Sequence, residues 1–386
     1  METVIKRAIE DSLREALSSK KSILLLGARQ TGKTTLVRLF EHDLYLTMTD
    51  IRLRQKYETN PGLFLGEIEA LAETKKYPLI IVDEIQKVPA LMDGIQYLID
   101  EKIAQFIITG SSARKLKNFL PGRVRNFYLD PLSIKEIQSH SSLEDRLNYG
   151  ALPEIFTSTS YRSKDILLRD YTENFIEEEI RQEAATRNIG HFKRFLELAA
   201  IESGKSLNLS KLSSDIGVAH TTISAYYTLL EECLVAQRFE SFLYTNTRRR
   251  LAKADKFIVF DLGIRRLAAK EGIQTSEEIL GRLFEQYIGL ELKKLARQSD
   301  DIIRIKFWKD TSGAEIDWII EKTDSVLPIE VKWTSSPKIS DAKHLQALMN
   351  EMPQIKQSAI ICRVERPIKL SDKVTAYPWT HLPKLL

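Results

Sequence analysis

The stretch Ser22-Ile-Leu-Leu-Leu-Gly27-Ala28-Arg29-Gln30-Thr31-Gly32-Lys33-Thr34-Thr35 decides the fold. Ser22 to Leu26 is an apolar run of strand length, and Thr35-Leu-Val-Arg-Leu-Phe40 has helical character. Between them the chain satisfies G-x-x-x-x-G-K-[ST] in full. Glycines at those two places let the backbone curl until its N–H groups face inward, forming an anion nest at a helix start. Lys33 adds a point charge for β and γ phosphates, and the Thr34 hydroxyl can reach Mg2+. The bland alternative is a glycine turn before an ordinary helix. The flanking strand and the full spacing favour a nucleotide loop over 27–35, taking ATP with magnesium.

Working outward, residues 1–20 show a helical period in Val4, Ile5, Ala8, Ile9, Leu13, Ala16 and Leu17. Strand-like runs follow at Leu44–Met48, Leu79–Val82, Phe106–Thr109 and Asn126–Leu129, separated by helical stretches. This alternation predicts an open parallel α/β sheet covered on both faces. In Leu79-Ile-Ile-Val-Asp83-Glu84 an apolar strand ends in acids at the sheet's carboxyl edge. Asp83 there suits metal binding through water, and Glu84 suits the role of base or water-orienting group. Phe106-Ile-Ile-Thr109-Gly-Ser111-Ser112 ends in hydroxyls at the same edge, where ligands meet such sheets. Two readings stand for Ser111: a γ-phosphate sensor or a Ser/Thr turn. Arg123 and Arg125 are either surface charges or a source of transition-state stabilisation, in their own chain or a neighbour's.

Beyond Pro131 the pattern turns helical to about residue 240. Leu209 to Ile216 reads as a short helix stopped by Gly217, followed by a second helix from about Thr221 to Glu232. Leu234–Phe239 and Phe242–Tyr244 read as a small hairpin, completing a winged helix-turn-helix outline. Hydroxyls and a ring at His220, Thr221, Thr222, Ser224, Tyr226 and Tyr227 could meet phosphates or base edges. Arg248, Arg249, Arg250, Lys253 and Lys256 could add backbone contacts. The competing reading is a packing or protein-contact module. Residues 173–183 are strongly acidic and would repel DNA.

The last third predicts a helix near Gly281–Arg297 and strands near Ile303–Trp308, Glu315–Ile320, Val326–Trp333 and Ser358–Val364. Asp317 lies on one strand and Glu330-Val-Lys332 on the next, thirteen residues later. Strand periodicity puts Glu330 and Lys332 on one face. Two carboxylates could then hold Mg2+ while Lys332 orients water, with Glu285 on the preceding helix as a further acid. Salt-bridged acids on a solvated face are the alternative.

The loop at 27–35, Val82-Asp-Glu-Ile-Gln-Lys-Val-Pro89, Thr109-Gly-Ser-Ser, Gly122-Arg123-Val, Asp130-Pro-Leu-Ser and Gly150-Ala-Leu-Pro153 together resemble a widespread family of prokaryotic AAA+-like ATPases. Its members carry a C-terminal domain of unknown function related to the PD-(D/E)xK nuclease fold. The resemblance implies Lys33 and Thr34 for nucleotide and magnesium, Asp83 and Glu84 for hydrolysis, Ser111 as first sensor and Arg123 as candidate finger. It further implies a homo-oligomer, since such ATPases often complete a site with a neighbour's arginine. The predicted architecture is an α/β P-loop ATPase domain at 1–131, a helical and winged-helix segment at 132–245, and a nuclease-like α/β domain at 246–386.

Composition sets outer limits. The chain has 386 residues, which allows about two or three domains. Lysine plus arginine exceeds aspartate plus glutamate by 57 − 53 = +4, and 43% of residues are hydrophobic, which argues against disorder and against passive coating of nucleic acid. No apolar run approaches the length that spans a bilayer, and the charged N-terminus lacks a signal-peptide pattern. Cys233 and Cys362 read as buried thiols, and the six histidines show no metal-ligand spacing. The expected location is cytoplasmic. Two functions compete: an ATP hydrolase acting on DNA by remodelling, translocation or cleavage, and a nucleotide-switched module that binds a partner without cutting.

Overall fold

A computed structural model describes residues 5–113, 116, 121–137, 141–175, 189–242, 254–310 and 313–386. The chain divides into two compact units, one of residues 1–132 with 232–235, the other of 133–231 with 236–386.

In the first unit, α1 (Glu10–Ser18), β1 (Ser22–Leu26), α2 (Lys33–Val37), β2 (Leu44–Thr47), α3 (Ile51–Thr59), α4 (Pro61–Thr74), β3 (Leu79–Asp83), α5 (Leu91–Asp100), β4 (Gln105–Gly110) and β5 (Val124–Tyr128) follow in order. The strands form one parallel sheet in the order β2-β3-β4-β1-β5. Side chains alternate across it. Leu24, Leu26, Ile80, Val82, Phe106 and Ile108 pack with Tyr57, Phe64, Ile68 and Ile95 of α3, α4 and α5. Ile23, Leu25, Ile81, Ile107 and Phe127 pack with Leu13 and Ala16 of α1 and Val37 of α2. A strand buried on both faces needs such unbroken apolar runs, which is why β1, β3 and β4 were legible. The expected parallel sheet is present.

The second unit begins with α6 (Leu143–Tyr149), α7 (Pro153–Thr157) and α8 (Tyr161–Asp170). After these come α9 (Ile189–Ile201), α10 (Leu209–Ile216) and α11 (His220–Glu232). Gly217 ends α10 in the left-handed conformation at φ 78°. Then β6 (Ala236–Phe239) pairs antiparallel with β7 (Lys256–Val259), Phe239 opposite Lys256. The expected hairpin partner at 242–244 falls largely outside the described residues, and the partner that β6 shows is β7. Phe242 instead donates its N–H to Phe307 O at 2.7 Å, and residues 243–244 lie outside the described residues. So do Arg248, Arg249, Arg250, Lys253 and residues 176–183 of the acidic stretch. Tyr226 and Tyr227 are buried among Phe192, Phe195 and Phe257, so they belong to packing and not to an exposed recognition face.

After α12 (Leu262–Ala268), the long α13 (Glu277–Arg297) packs on a six-stranded mixed sheet. Its strands are β8 (Arg304–Lys309), β9 (Glu315–Glu321), β10 (Val326–Val331), β11 (Ser358–Cys362), β12 (Ile368–Lys369) and β13 (Val374–Pro378). Their order is β12-β13-β11-β10-β9-β8. A further helix, α14 (Lys343–Glu351), joins a separate core with Ile316, Ile319, Ile360 and Val374. Cys233 and Cys362 are buried thiols, as expected, and form no disulfide.

Gly150 explains part of the Gly150-Ala-Leu-Pro153 motif. It sits at φ 72°, and a Cβ there would lie 1.9 Å from Asp261 Oδ1. Asp261 caps α12, accepting from Gly263 N at 2.9 Å and Ile264 N at 3.2 Å, and its other oxygen accepts from Ala151 N at 2.7 Å. Among the described residues no helix is long and apolar enough to cross a membrane.

Candidate nucleotide site and carboxylate cluster

The loop after β1 is shaped by its small residues. Gly32 adopts φ 94°, and a Cβ on Gly27 would lie 2.5 Å from Leu129 O, so neither place accepts another residue without strain. The Lys33 side chain is 4% exposed. Its ammonium donates to Gly27 O at 2.8 Å and Ala28 O at 3.1 Å and stands 3.7 Å from Glu84 Oε1. Thr34 Oγ1 donates to Asp83 Oδ2 at 2.9 Å, and the Tyr45 hydroxyl donates to the same oxygen at 2.9 Å. Thr109 Oγ1 donates to Asp83 Oδ1 and accepts from Glu84 N at 3.0 Å, locking the two acids to the end of β4. Glu84 itself adopts a left-handed conformation, φ 58°. Its Oε2 accepts from Ser111 Oγ at 3.3 Å and from Gln86 Nε2, which also donates to Ser111 Oγ at 2.8 Å. The structure thus brings Lys33, Thr34, Asp83, Glu84 and Ser111 to one edge of the sheet. Arg29, Gln30, Thr31 and Thr35 stay within the loop and the start of α2, with Thr31 Oγ1 bonded to Ala28 O at 2.9 Å.

Arg123 lies elsewhere. Val124 pairs with Ser22, at the amino end of β1, whereas the loop follows Leu26 at the carboxyl end. At about 3.3 Å per residue that puts Arg123 more than about 13 Å from its own loop along the strand. Its Nε donates to Asp100 Oδ1 at 2.8 Å and Oδ2 at 3.0 Å.

In the second unit, Asp317 of β9 accepts from Val331 N at 2.7 Å through Oδ2. Lys332 Nζ donates to Glu330 Oε1 at 2.6 Å, as the shared strand face predicts. Burial, together with the charges of Glu285 and Glu330, pushes the Asp317 carboxyl well above the usual carboxylate range. Burial also raises Glu330, against the pull of the Lys332 charge. Glu285, on α13, accepts from Lys256 Nζ at 3.0 Å. Lys256 was expected among the basic DNA contacts, but it is buried and ion-paired with Glu285 and Glu315. Burial works against its charge, yet the surrounding carboxylates hold its pKa above the ordinary lysine value.

Residues 19–138 match an AAA domain. This AAA domain contains the whole loop and both acids of the first site. Two further matches follow it, a domain of unknown function (DUF8612) at 140–277 and another (DUF4143) at 280–382. Uncharacterized proteins of Mycobacterium tuberculosis and Mycobacterium bovis are each 27% identical over 378 residues, covering 95% of this chain and 82% of theirs. Among solved structures, a signal transduction ATPase with numerous domains and a tetratricopeptide repeat sensor, from Pyrococcus horikoshii, is 15% identical. Its TM-score is 0.26, and the match covers 77% of this chain and 47% of that one, so the chain spans about half its length. A Vibrio cholerae protein is 12% identical with a TM-score of 0.20, covering 94% of this chain and 96% of its own.

Sequence reasoning missed two residues that touch these sites. Arg7 precedes the AAA match, yet its guanidinium donates to Thr31 O and to Asp130 O at 2.7 Å, and the residue is 7% exposed. An arginine in a charged N-terminal helix pattern carries no local sign of this. Lys256 is the other, since its partners lie 29 and 59 positions away in sequence. Gln86 and Thr109 were within quoted motifs, and their hydrogen-bonding types were the available signal.

Proposed function

We propose that the AAA domain hydrolyses ATP with magnesium. The observation that carries this reading is the convergence of Lys33, Thr34, Asp83 and Glu84 at one sheet edge, with Lys33 and Glu84 3.7 Å apart and Thr34 and Asp83 2.9 Å apart. A hydroxyl and a carboxylate at that separation are hard oxygen donors, which fits Mg2+. Thr34 and Asp83 would hold the ion, and bound there it would neutralise charge on the β and γ phosphates. The loop N–H groups bind the phosphates. Lys33 leaves the Gly27 and Ala28 carbonyls for the nucleotide. Glu84 orients the attacking water and takes its proton, held in place by Ser111 and Gln86. Ser111 would read the γ-phosphate by exchanging its hydrogen bond to Glu84 for one to the nucleotide.

We further propose that the chain acts on DNA. Two features of the second unit support this: α10 and α11 followed by the β6–β7 pair, and an open groove. The groove, of about 360 Å3, is lined by Arg238, Lys293, Arg297, Arg304 and Lys306 against Glu231 and Glu240. Its excess of cations suits a phosphate backbone. The second reading, a nucleotide-switched module that binds without cutting, is favoured for the C-terminal domain by the lysines already bonded to its acids. The active form on this proposal is a cytoplasmic homo-oligomer in which Arg123, too far from its own loop, would serve a neighbour's site.

The test is ATP turnover by wild type and Glu84→Gln, with and without single-stranded, duplex and branched DNA, with cleavage followed in parallel. Turnover should fall about 10²–10⁴-fold in Glu84→Gln while nucleotide binding survives. Retained turnover would remove Glu84 from the mechanism. Absence of DNA binding at low salt would end the DNA reading.

A further inference from the structure

The C-terminal acids are served by a lysine that the two-strand motif does not supply. Lys256 opens β7, held opposite Phe239, and its side chain is 2% exposed. Its ammonium donates to Glu285 Oε1 at 3.0 Å, is ion-paired with Glu315, and lies 4.9 Å from the centre of the Phe307 ring. A cation buried this deeply persists only with counter-charge and hydrogen bonds in place. Two carboxylates and an aromatic face provide them here. Two of the neighbouring acids also accept from ammonium groups, and a third from a backbone N–H. Lys309 donates to Glu315 Oε2 at 2.9 Å, Lys332 to Glu330 Oε1 at 2.6 Å, and Asp317 takes the Val331 N–H. Among the described residues, no three His, Cys, Asp or Glu side chains gather so as to hold a metal ion. Glu285 Oε1, both Glu315 oxygens and Glu330 Oε1 are already taken by ammonium donors, and it is this occupancy that counts against a resident Mg2+ in the cluster.

We propose that the Lys256 ammonium is a built-in cation, supplying the positive charge that a divalent metal would otherwise bring to these carboxylates. The domain then keeps its acids together without metal and has no metal-dependent cleaving centre. This stands apart from ATP hydrolysis and does not depend on it. Glu330 Oε2 is buried with no hydrogen-bond partner among the described residues, so the test is aimed at it.

The probe is Mn2+ alone, titrated into the full chain without nucleotide and read by electron paramagnetic resonance. Wild type, Asp317→Asn and Glu330→Gln should bind equal amounts, because the C-terminal cluster takes none. Lys256→Met should gain about one Mn2+ per chain, bound by the freed oxygen ligands, and Lys256→Met with Glu285→Gln should lose that gain. An equivalent present in wild type and lost in Asp317→Asn or Glu330→Gln overturns the proposal. So does a folded Lys256→Met protein with no extra Mn2+. If Lys256→Met folds only when Mn2+ is added, the thermal transition it recovers reads the same gain. If it never folds, the comparison of wild type with Asp317→Asn and Glu330→Gln decides alone.

Discussion

Arg7 braces the nucleotide loop through two backbone carbonyls, one on Thr31 inside the loop and one on Asp130 beyond β5. Replacing it with alanine leaves two acceptors without their charged donor, at a cost of about 1–3 kcal/mol for the buried one. Arg7→Ala should therefore bind nucleotide more weakly and unfold at lower temperature, measured by nucleotide titration and thermal denaturation. Unchanged affinity would mean the loop holds its shape unaided. Glu315 supports a pH prediction. Burial pushes its carboxyl up, but the Lys256 and Lys309 charges and hydrogen bonds outweigh this and hold it below the ordinary value of 4.5. A depressed folded pKa adds stability that is present above 4.5 and lost as pH falls through the folded value. Urea midpoints of wild type and Glu315→Gln should converge as pH drops through that window. Midpoints that stay equally far apart throughout would remove this contribution.

At the level of elements, Gly150 and Asp261 act as one joint between the segment after α6 and the start of α12. Adding a methyl group at Gly150 meets the Asp261 carboxylate and forces a positive φ on a residue with a Cβ. Gly150→Ala should lower stability by about 2 kcal/mol or more, read from urea unfolding, with no change in nucleotide affinity. A neutral outcome would mean that the capping carboxylate moves freely. Elements were legible where one local pattern fixed them. β1, β3 and β4 are unbroken apolar runs, and the loop after β1 has its spacing written in eight consecutive positions. β6 was not, because a short hairpin is the default partner for a strand, and the sequence has no local mark that Lys256–Val259 pairs with it. The same pairing carries Lys256 into the carboxylates. A basic residue beside Arg248–Arg250 reads as surface charge until its strand partner is known. Asp317, Glu330 and Lys332 were read from spacing, but the pairing of Lys256 with Glu285 and Glu315 was not.

For the whole molecule, the position of Arg123 at the amino end of β5 has a kinetic consequence. If it completes a site, the site belongs to another copy. Mixing inactive Lys33→Ala chains with inactive Arg123→Ala chains should restore part of the ATP turnover, because each supplies what the other lacks. Turnover that is unaffected in Arg123→Ala alone would dismiss the arginine. The AAA match begins at residue 19, yet one of the struts under its phosphate loop is anchored at position 7. The edge of a domain drawn from similarity is thus not its mechanical edge. A recombinant fragment cut at residue 19 would keep every letter of the motif and lose a brace, and its poor nucleotide binding would be mistaken for a property of the intact protein.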